Sequence, residues 1–221
     1  MHEIVIVGAG GFGRELLHWA QDAFPSDKFR IKGFLCKDPN ELDGFHTKLP
    51  ILGDENKYEV KDEDRFLFAI GNVDIKERVV SALKKKGARF ISLIHPTARV
   101  APTARIGEGV VICPFVIVSD CAEVGDFVTL NYYSSCGHDT KIGPYCILSP
   151  YAIVGGASIL EERVFMGMHA TIAPCKRVGR GSKISANSAA MNDVSPNTLV
   201  YGVPGVNRTL YTDSEITSCR Q

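Results

Sequence analysis

The run Cys136-Gly137-His138-Asp139 contains the residues best suited to chemistry in this sequence. An imidazole whose pKa is near 6.5 can take up and release a proton at neutral pH. A carboxylate beside it, such as that of Asp139, can fix the ring tautomer and stabilise the protonated ring. His138 and Asp139 therefore form a candidate general-base pair. A lone histidine is more often structural, so the surroundings of the pair decide between the two readings.

A second chemistry starts from Cys136, because its thiolate could attack a substrate with His138 as the base. The repeat described below puts Cys136 at an inward aliphatic position, where a thiol is desolvated and unreactive. A covalent mechanism through Cys136 is therefore not expected. The seven cysteines form no CxxC pair and the histidines show no short ligand spacing, so neither a zinc site nor a disulfide framework is expected.

The glycine-rich run GAGGFG at residues 8–13 follows an apolar segment and precedes a helical pattern. It formally fits the dinucleotide-binding fingerprint, but the acidic residue required about 20 residues later is absent, because residues 35–37 read LCK. We interpret the run as a loop that approaches a nucleotide closely, with a tight strand-to-helix turn as the alternative. The residues assigned to this loop are Gly10, Gly11, Phe12 and Gly13.

The elements that position the glycine loop alternate between strand and helix patterns over residues 1–92. Apolar runs predict strands at Glu3–Val7, Phe29–Leu35 and Arg65–Ile70. Leu16, Leu17 and Ala20 share one helical face, and a second helix is predicted from Asp74 to Lys86 with Ile75, Val79 and Leu83 inward. The pattern predicts a small α/β domain of Rossmann-like type.

From Ile94 onward the apolar period changes to six. Seventeen successive positions, from Ile94 to Ala190 at intervals of six, are apolar without one insertion, and glycine often follows them. A fixed short repeat of this kind predicts a solenoid in which three flat sides make one 18-residue coil. The predicted second domain covers residues 93–207, and residues 208–221 form a C-terminal tail.

Composition excludes several classes of function. Lys plus Arg and Asp plus Glu both total 25, so there is no basic excess for nucleic acid. No apolar stretch reaches the roughly 18 residues of a membrane span, and the N-terminus lacks the features of a signal peptide. We expect a cytoplasmic protein without nucleic-acid or membrane partners.

These hexads resemble those of the hexapeptide-repeat acyltransferases, whose prism is a left-handed parallel β-helix. The segments GAGGFGRE, AIGN, HPTARV, CGHDTKIG and YGVPG together resemble one branch, the NeuD/PglD-type sugar-nucleotide acetyltransferases that include the perosamine N-acetyltransferases. The resemblance covers residues 3 to 208. It departs at residues 34–38, where FLCKD replaces the acidic FxDDD of many relatives.

The resemblance implies a role for individual residues. His138 matches the catalytic histidine of the branch, and Asp139 is its orienting acid. Acetyl-CoA is the implied acyl donor, and no metal is implied. The implied substrate residues, besides the glycine loop, are Asp38, Asn72 and Asn131. The implied coenzyme residues are Gly156, Met168 and Ala186.

The sequence thus predicts an acetyl-CoA-dependent N-acetyltransferase that acts on a nucleotide-linked 4-amino-4,6-dideoxyhexose for a surface glycan. O-acetylation of a sugar of sialic-acid type and a non-catalytic nucleotide-binding solenoid remain alternatives. The outer aromatic residues predict a homotrimer with sites between subunits. These residues are Phe115, Tyr132, Tyr133, Tyr145 and Tyr151.

Overall fold

The computed structural model describes residues 1–211; the remainder of the predicted tail, residues 212–221, lies outside the described residues. The N-terminal region is a parallel sheet in which the third, second, first and fourth strands lie side by side in that order. One helix follows the first strand and another follows the fourth. Its elements are β1 (His2–Val7), α1 (Gly11–Ala23), β2 (Phe29–Leu35), β3 (Ile51–Gly53), β4 (Asp64–Phe68) and α2 (Val73–Lys85).

The core of this region follows the predicted pattern except on α2. Residues 4–7 of β1 are fully buried, and α1 buries Leu16, Leu17 and Ala20. On α2, Ile75 is exposed while Lys76 is buried, so the predicted inward position of Ile75 was wrong. The helix is rotated so that the Lys76 side chain enters the contact with the second region.

The second region is a prism of two-residue parallel strands that recur every six residues and belong to three sheets. The first sheet contains β7 (Arg105–Ile106), β10 (Glu123–Val124), β13 (Lys141–Ile142), β16 (Ile159–Leu160) and β19 (Arg177–Val178). The second contains β5 (Leu93–Ile94), β8 (Val111–Ile112), β11 (Thr129–Leu130), β14 (Ile147–Leu148), β17 (Phe165–Met166), β20 (Lys183–Ile184), β22 (Thr198–Tyr201) and the antiparallel β23 (Val206–Thr209). The third contains β6 (Arg99–Val100), β9 (Ile117–Val118), β12 (Ser135–Cys136), β15 (Ile153–Val154), β18 (Thr171–Ile172) and β21 (Ala189–Ala190).

The repeat residues stack inside the prism as the period of six predicts. Every one of them from Ile112 to Ala190 is buried. Ile94 is exposed, contrary to the prediction, because the first coil has no coil beneath it and Leu93 faces the N-terminal region instead. The fold class is confirmed: a Rossmann-like α/β region followed by a left-handed parallel β-helix.

The corners of the prism hold side chains on left-handed backbone, with φ between 53° and 62° for the non-glycine residues concerned. Because one coil is 18 residues long, these residues form vertical columns. We name three of them. The site corner is Cys121, Asp139, Ala157 and Cys175, with the residues that precede each. The ring corner is Phe115, Tyr133, Tyr151 and His169. The docked corner is Phe127, Tyr145 and Arg163.

The N-terminal region covers the docked corner. Arg163 forms ion pairs with Asp74 and Glu77 of α2, and the Phe90 ring meets Phe127 edge-on at 5.0 Å. Tyr145 stacks on Phe127 in the same contact. Its half-buried ring therefore belongs to this internal contact and is not part of the free outer surface that was predicted for it.

Two observations concern the wider surroundings of the fold. Within residues 1–211, no helix is both long enough and apolar enough to cross a bilayer. The same residues contain no group of three histidine, cysteine or acidic side chains arranged to hold a metal ion.

Candidate active site

His138 and Asp139 occupy the turn that follows β12. The pairing of β12 with β15 turns Cys136 inward, so the ring of His138, two residues later, projects outward at the corner. His138 Nδ1 lies 2.8 Å from Asp139 Oδ2, and both side chains are exposed. A carboxylate accepts the proton of Nδ1–H, which leaves the lone pair of Nε2 free toward solvent. The pair can therefore accept a proton from an incoming group through Nε2.

Gly156 lies one coil above His138 in the same corner, and because it has no side chain it leaves room for the imidazole. A Cβ atom at Gly156 would lie 2.6 Å from His138 Nε2 and 2.8 Å from Cε1. The Gly156 carbonyl accepts a hydrogen bond from the Cys175 N–H, whereas its own N–H has no partner among residues 1–211. A free N–H beside the histidine can stabilise a developing oxyanion.

Cys136 is fully buried within the prism, two residues before the candidate base. Burial raises the pKa of its thiol to about 12. A thiol with that pKa carries almost no thiolate at neutral pH, and the thiolate is the nucleophilic form. The geometry agrees with a transfer that does not pass through Cys136.

Residues 8–10 connect β1 to α1 at the carboxyl edge of the N-terminal sheet; Gly11, Phe12 and Gly13, predicted to lie in this loop, form the first turn of α1 instead. Gly10 is the N-cap of α1 without a side-chain capping hydrogen bond, and a Cβ at Gly13 would collide with the Gly8 carbonyl oxygen. The loop therefore needs glycine for its own turn, whatever it binds. Phe12 faces Trp19 edge-on at 5.9 Å and is half-buried, so its ring packs on the helix.

The three polar residues predicted to bind substrate each form a local hydrogen bond. Asn72 Oδ1 caps α2 by accepting from Asp74 N at 3.0 Å and Ile75 N at 3.1 Å. Asp38 Oδ1 accepts from Asn40 N, and Asn131 Oδ1 accepts from Tyr132 N. The amide nitrogens of Asn72 and Asn131 have no protein partner among residues 1–211. These side chains are held in place locally and present their remaining polar atoms outward.

The predicted coenzyme residues are not brought together within one copy of the chain. Gly156 lies at the corner that follows β15, whereas Met168 and Ala186 lie at the corner that precedes β18 and β21. These two corners are the opposite edges of the prism face that contains β12, β15 and β18. Met168 and Ala186 are both exposed.

Sequence reasoning did not single out Asp120, which lies one coil below His138 in the site corner. The β9–β12 register pairs Val118 with Cys136, so Asp120 and His138 occupy equivalent places in successive coils. The Asp120 carbonyl accepts a hydrogen bond from Asp139 N at 2.9 Å. Subtracting the 18-residue period from the position of His138 would have found this second carboxylate.

Comparisons with known proteins agree with this geometry. Residues 3–83 match the family described as the PglD N-terminal domain. The chain is 31% identical over 178 residues to GDP-perosamine N-acetyltransferase of Escherichia coli O157:H7, with 76% of each chain covered. It is 31% identical over 123 residues to UDP-N-acetylbacillosamine N-acetyltransferase of Bacillus subtilis, with 51% of each covered.

One solved structure shows the same fold over nearly the whole chain. PerB from Caulobacter crescentus, in complex with CoA and GDP-perosamine, matches with a TM-score of 0.85 and 24% identity. The match covers 94% of this chain and 98% of PerB. Both the α/β region and the prism therefore have counterparts in a single known chain.

Proposed function

Because this chain belongs to the NeuD/PglD-type sugar-nucleotide N-acetyltransferases of the hexapeptide-repeat superfamily, we propose that it transfers the acetyl group of acetyl-CoA to a nucleotide-linked 4-amino-4,6-dideoxyhexose. The GDP-linked form is the first substrate to test, since the Escherichia coli relative is a GDP-perosamine N-acetyltransferase and PerB was solved with GDP-perosamine. The single observation that carries the mechanism is the His138–Asp139 pair placed directly against Gly156.

His138 is the general base of the proposed reaction. The amine nitrogen of the sugar attacks the thioester carbonyl carbon, and its proton passes to His138 Nε2. Asp139 stabilises the resulting imidazolium, and the Gly156 N–H donates to the oxyanion of the tetrahedral intermediate. The carbon–sulfur bond then breaks, and the imidazolium returns the proton to the leaving thiolate. Transfer is direct, since the buried Cys136 is unsuited to attack.

The substrate and the coenzyme approach His138 from different coils. Residues 1–92 form the proposed substrate domain, in which Gly10, Gly11, Phe12, Gly13, Asp38 and Asn72 surround the nucleotide, and Asn131 of the prism contacts the sugar. His95 of the first coil lies 3.3 Å from Asp22 of α1, so this domain adjoins the early coils. The coenzyme lies along the later coils, against Gly156, Met168 and Ala186.

A homotrimer completes the proposed site. Gly156 and the pair of Met168 and Ala186 lie at opposite edges of one face, so a groove that contains all three needs contributions from two copies. The ring corner supports the same proposal, because Phe115, Tyr133 and Tyr151 are 49%, 47% and 42% exposed. A stack of exposed rings is suited to burial against another subunit. We place the trimer in the cytoplasm, in the synthesis of a surface glycan.

The proposal is tested by incubating the protein with acetyl-CoA and GDP-, UDP- and dTDP-linked 4-amino sugars while free thiol is measured. We expect turnover on one of them and a fall of about 10²- to 10⁴-fold in kcat for His138→Ala. His2→Ala is the matched control, since His2 is an exposed histidine at the start of β1, at the end of the sheet opposite the glycine loop. Absence of turnover on every sugar, or full activity in His138→Ala, would overturn the assignment.

A further inference from the structure

We infer that Asp120 is the residue that receives the protonated amine of the acceptor sugar and holds it beneath His138, an inference that rests on the proposed function. Asp120 occupies in its coil the place that His138 occupies in the next, and neighbouring parallel strands lie about 4.8 Å apart. A group bonded to the Asp120 carboxylate is therefore within one coil height of the imidazole.

The Asp120 carboxylate is oriented but not neutralised. Thr103 Oγ1 donates to Asp120 Oδ1, and the same hydroxyl accepts from Cys121 N at 3.0 Å. The Cys121 thiol approaches Oδ2 only at 3.8 Å. Thr103 therefore fixes one oxygen, while the second oxygen has only this weak contact and remains available to a ligand.

The surroundings of His138 are negatively charged both in its own coil and in the coil below it. Asp120 lies below the ring and Asp139 lies beside it, and in the described part of the chain neither forms an ion pair with lysine or arginine. Two carboxylates that lack a basic partner attract a cation. An aliphatic amine is mostly protonated at neutral pH, so the acceptor sugar arrives as such a cation. A neutral sugar hydroxyl gains little from the same charge.

The position of Asp120 along the prism matches the direction of substrate entry. α1, whose N-terminus carries the glycine loop, adjoins the first coil through the His95–Asp22 contact. Asp120 lies on that side of His138, whereas the contacts of α2 extend further along the prism to Arg163. Gly156 lies on the opposite side, one coil above. His138 is therefore placed between a carboxylate that meets the amine and a backbone N–H that meets the thioester.

The proton balance follows from this arrangement. The ammonium first loses one proton to solvent, and the neutral amine then attacks the thioester and gives a second proton to His138. His138 returns that proton to the departing thiolate, so one proton is released per acetyl group transferred. Asp120 takes no proton in this sequence. Its task is to retain the acceptor, which should appear in binding more than in kcat.

The test measures binding by calorimetry in the absence of an acetyl donor. The ligands are a GDP-linked 4-amino sugar and its 4-hydroxy analogue, each titrated into the full chain and into Asp120→Asn. We expect the variant to bind the amino ligand about five- to tenfold more weakly at about pH 6.5. The difference should fall below about twofold at a pH above the pKa of the ligand's amine, which is determined first by titrating the free ligand. Affinity for the hydroxy analogue should be unchanged.

Two further variants separate charge from structure. Asp120→Glu keeps the charge and should recover part of the affinity for the amino ligand. Asp126→Asn is the matched control, because Asp126 occupies the same turn position at the docked corner and accepts from Glu108 N there. Equal effects on both ligands, an effect that does not change with pH, or no effect at all would each overturn the inference. Acetyl transfer, measured after acetyl-CoA is added to the same samples, tests the proposed function separately.

Discussion

The docked corner and the ring corner contain the same kind of side chain on the same backbone, yet they lie in different surroundings. Phe127 and Tyr145 stack at 5.5 Å with φ near 60°, as do Phe115 and Tyr133 at 4.9 Å. Phe127 is only 1% exposed, because α2 and Phe90 cover it. Rings can therefore stack at any corner of the 18-residue coil. A stack that another part of the molecule covers belongs to the core, and an uncovered stack belongs to the surface.

The N-terminal region therefore covers one side of the prism. Where the chain provides that cover, the corner also holds charged contacts, such as Lys84 with Glu108 and Arg163 with α2. The ring corner has no such cover among residues 1–211, and it ends on His169, whose ring stacks on Tyr151 at 4.7 Å. A second copy of the chain is the cover that we propose for it.

Removing a ring from the docked corner should have the largest effect on the stability of one chain. Phe127→Ala leaves a cavity beneath α2, and we expect the free energy of unfolding to fall by about 3–5 kcal/mol in urea titrations. Tyr151→Ala, which removes a ring from the ring corner, is the matched control and should cost well under half as much. Equal losses in dilute, monomeric samples would contradict the distinction between the two corners.

The next effect concerns Lys76, which α2 buries against the prism. Lys76 Nζ donates to Thr129 Oγ1 at 2.8 Å and lies 5.7 Å from the Phe68 ring centre. Desolvation lowers the pKa of Lys76 to about 7, although the nearby thiols of Cys113 and Cys146 oppose that shift.

Because the pKa of Lys76 is lower in the folded chain than in the unfolded chain, the unfolded chain binds the proton more tightly. Lys76 should therefore make stability rise with pH from about 7 to about 9, by up to about 1.4 kcal/mol per pH unit. Above about pH 9 stability should fall again, because burial raises the pKa of the Cys113, Cys136 and Cys146 thiols in the folded chain. Lys76→Met should remove the rising slope in urea titrations at several pH values. Lys84→Met, a change on the same helix at an exposed ion pair, should leave the slope intact, and a persistent slope in Lys76→Met would show that another group causes it.

The smallest effect on a single chain should come from a charge at the ring corner. We expect Tyr133→Glu to change the unfolding free energy of the monomer by no more than about 0.5 kcal/mol. The same substitution should reduce the mass measured by light scattering from that of a trimer to that of a monomer, because a carboxylate in the contact would be buried without a partner. Arg105→Glu, on the outer face of another sheet, should leave the mass unchanged. A wild-type chain that is itself monomeric would refute the interface.

Local patterns predicted most of the fold. The bounds of β2 at Phe29–Leu35 agree with the prediction, and the hexad positions from Ile112 onward point inward. Both succeed because a residue in a strand or coil meets neighbours at a fixed spacing in sequence. The outward position of the His138 ring was predicted in the same way, since the phase of Cys136 determines where that ring emerges; its role as a general base stays a prediction.

Contacts between the two regions could not be predicted, because the residues that form them do not recur at a fixed spacing in the sequence. Lys84, for example, forms an ion pair with Glu108 of the prism at 2.6 Å, and Arg163 of the prism forms one with Asp74 of α2. The inward position of Lys76 in place of Ile75 has the same origin. Such positions depend on how α2 packs on the prism. A short stretch of sequence around α2 contains no information about that packing.

The uninterrupted 18-residue spacing also gives every coil of the prism the same height. α1 contacts the first coil through Asp22 and His95, whereas α2 contacts coils as far as Arg163, so the N-terminal region is fixed to the prism both below and above the level of His138. Each coil adds about 4.8 Å of height, so inserting 18 residues after Ile106 would raise His138 by that step relative to α1 and would move Arg163 away from α2 by the same step. The coil height thus couples the level of His138 to the position of the N-terminal region, which contacts on both sides of that level hold in place.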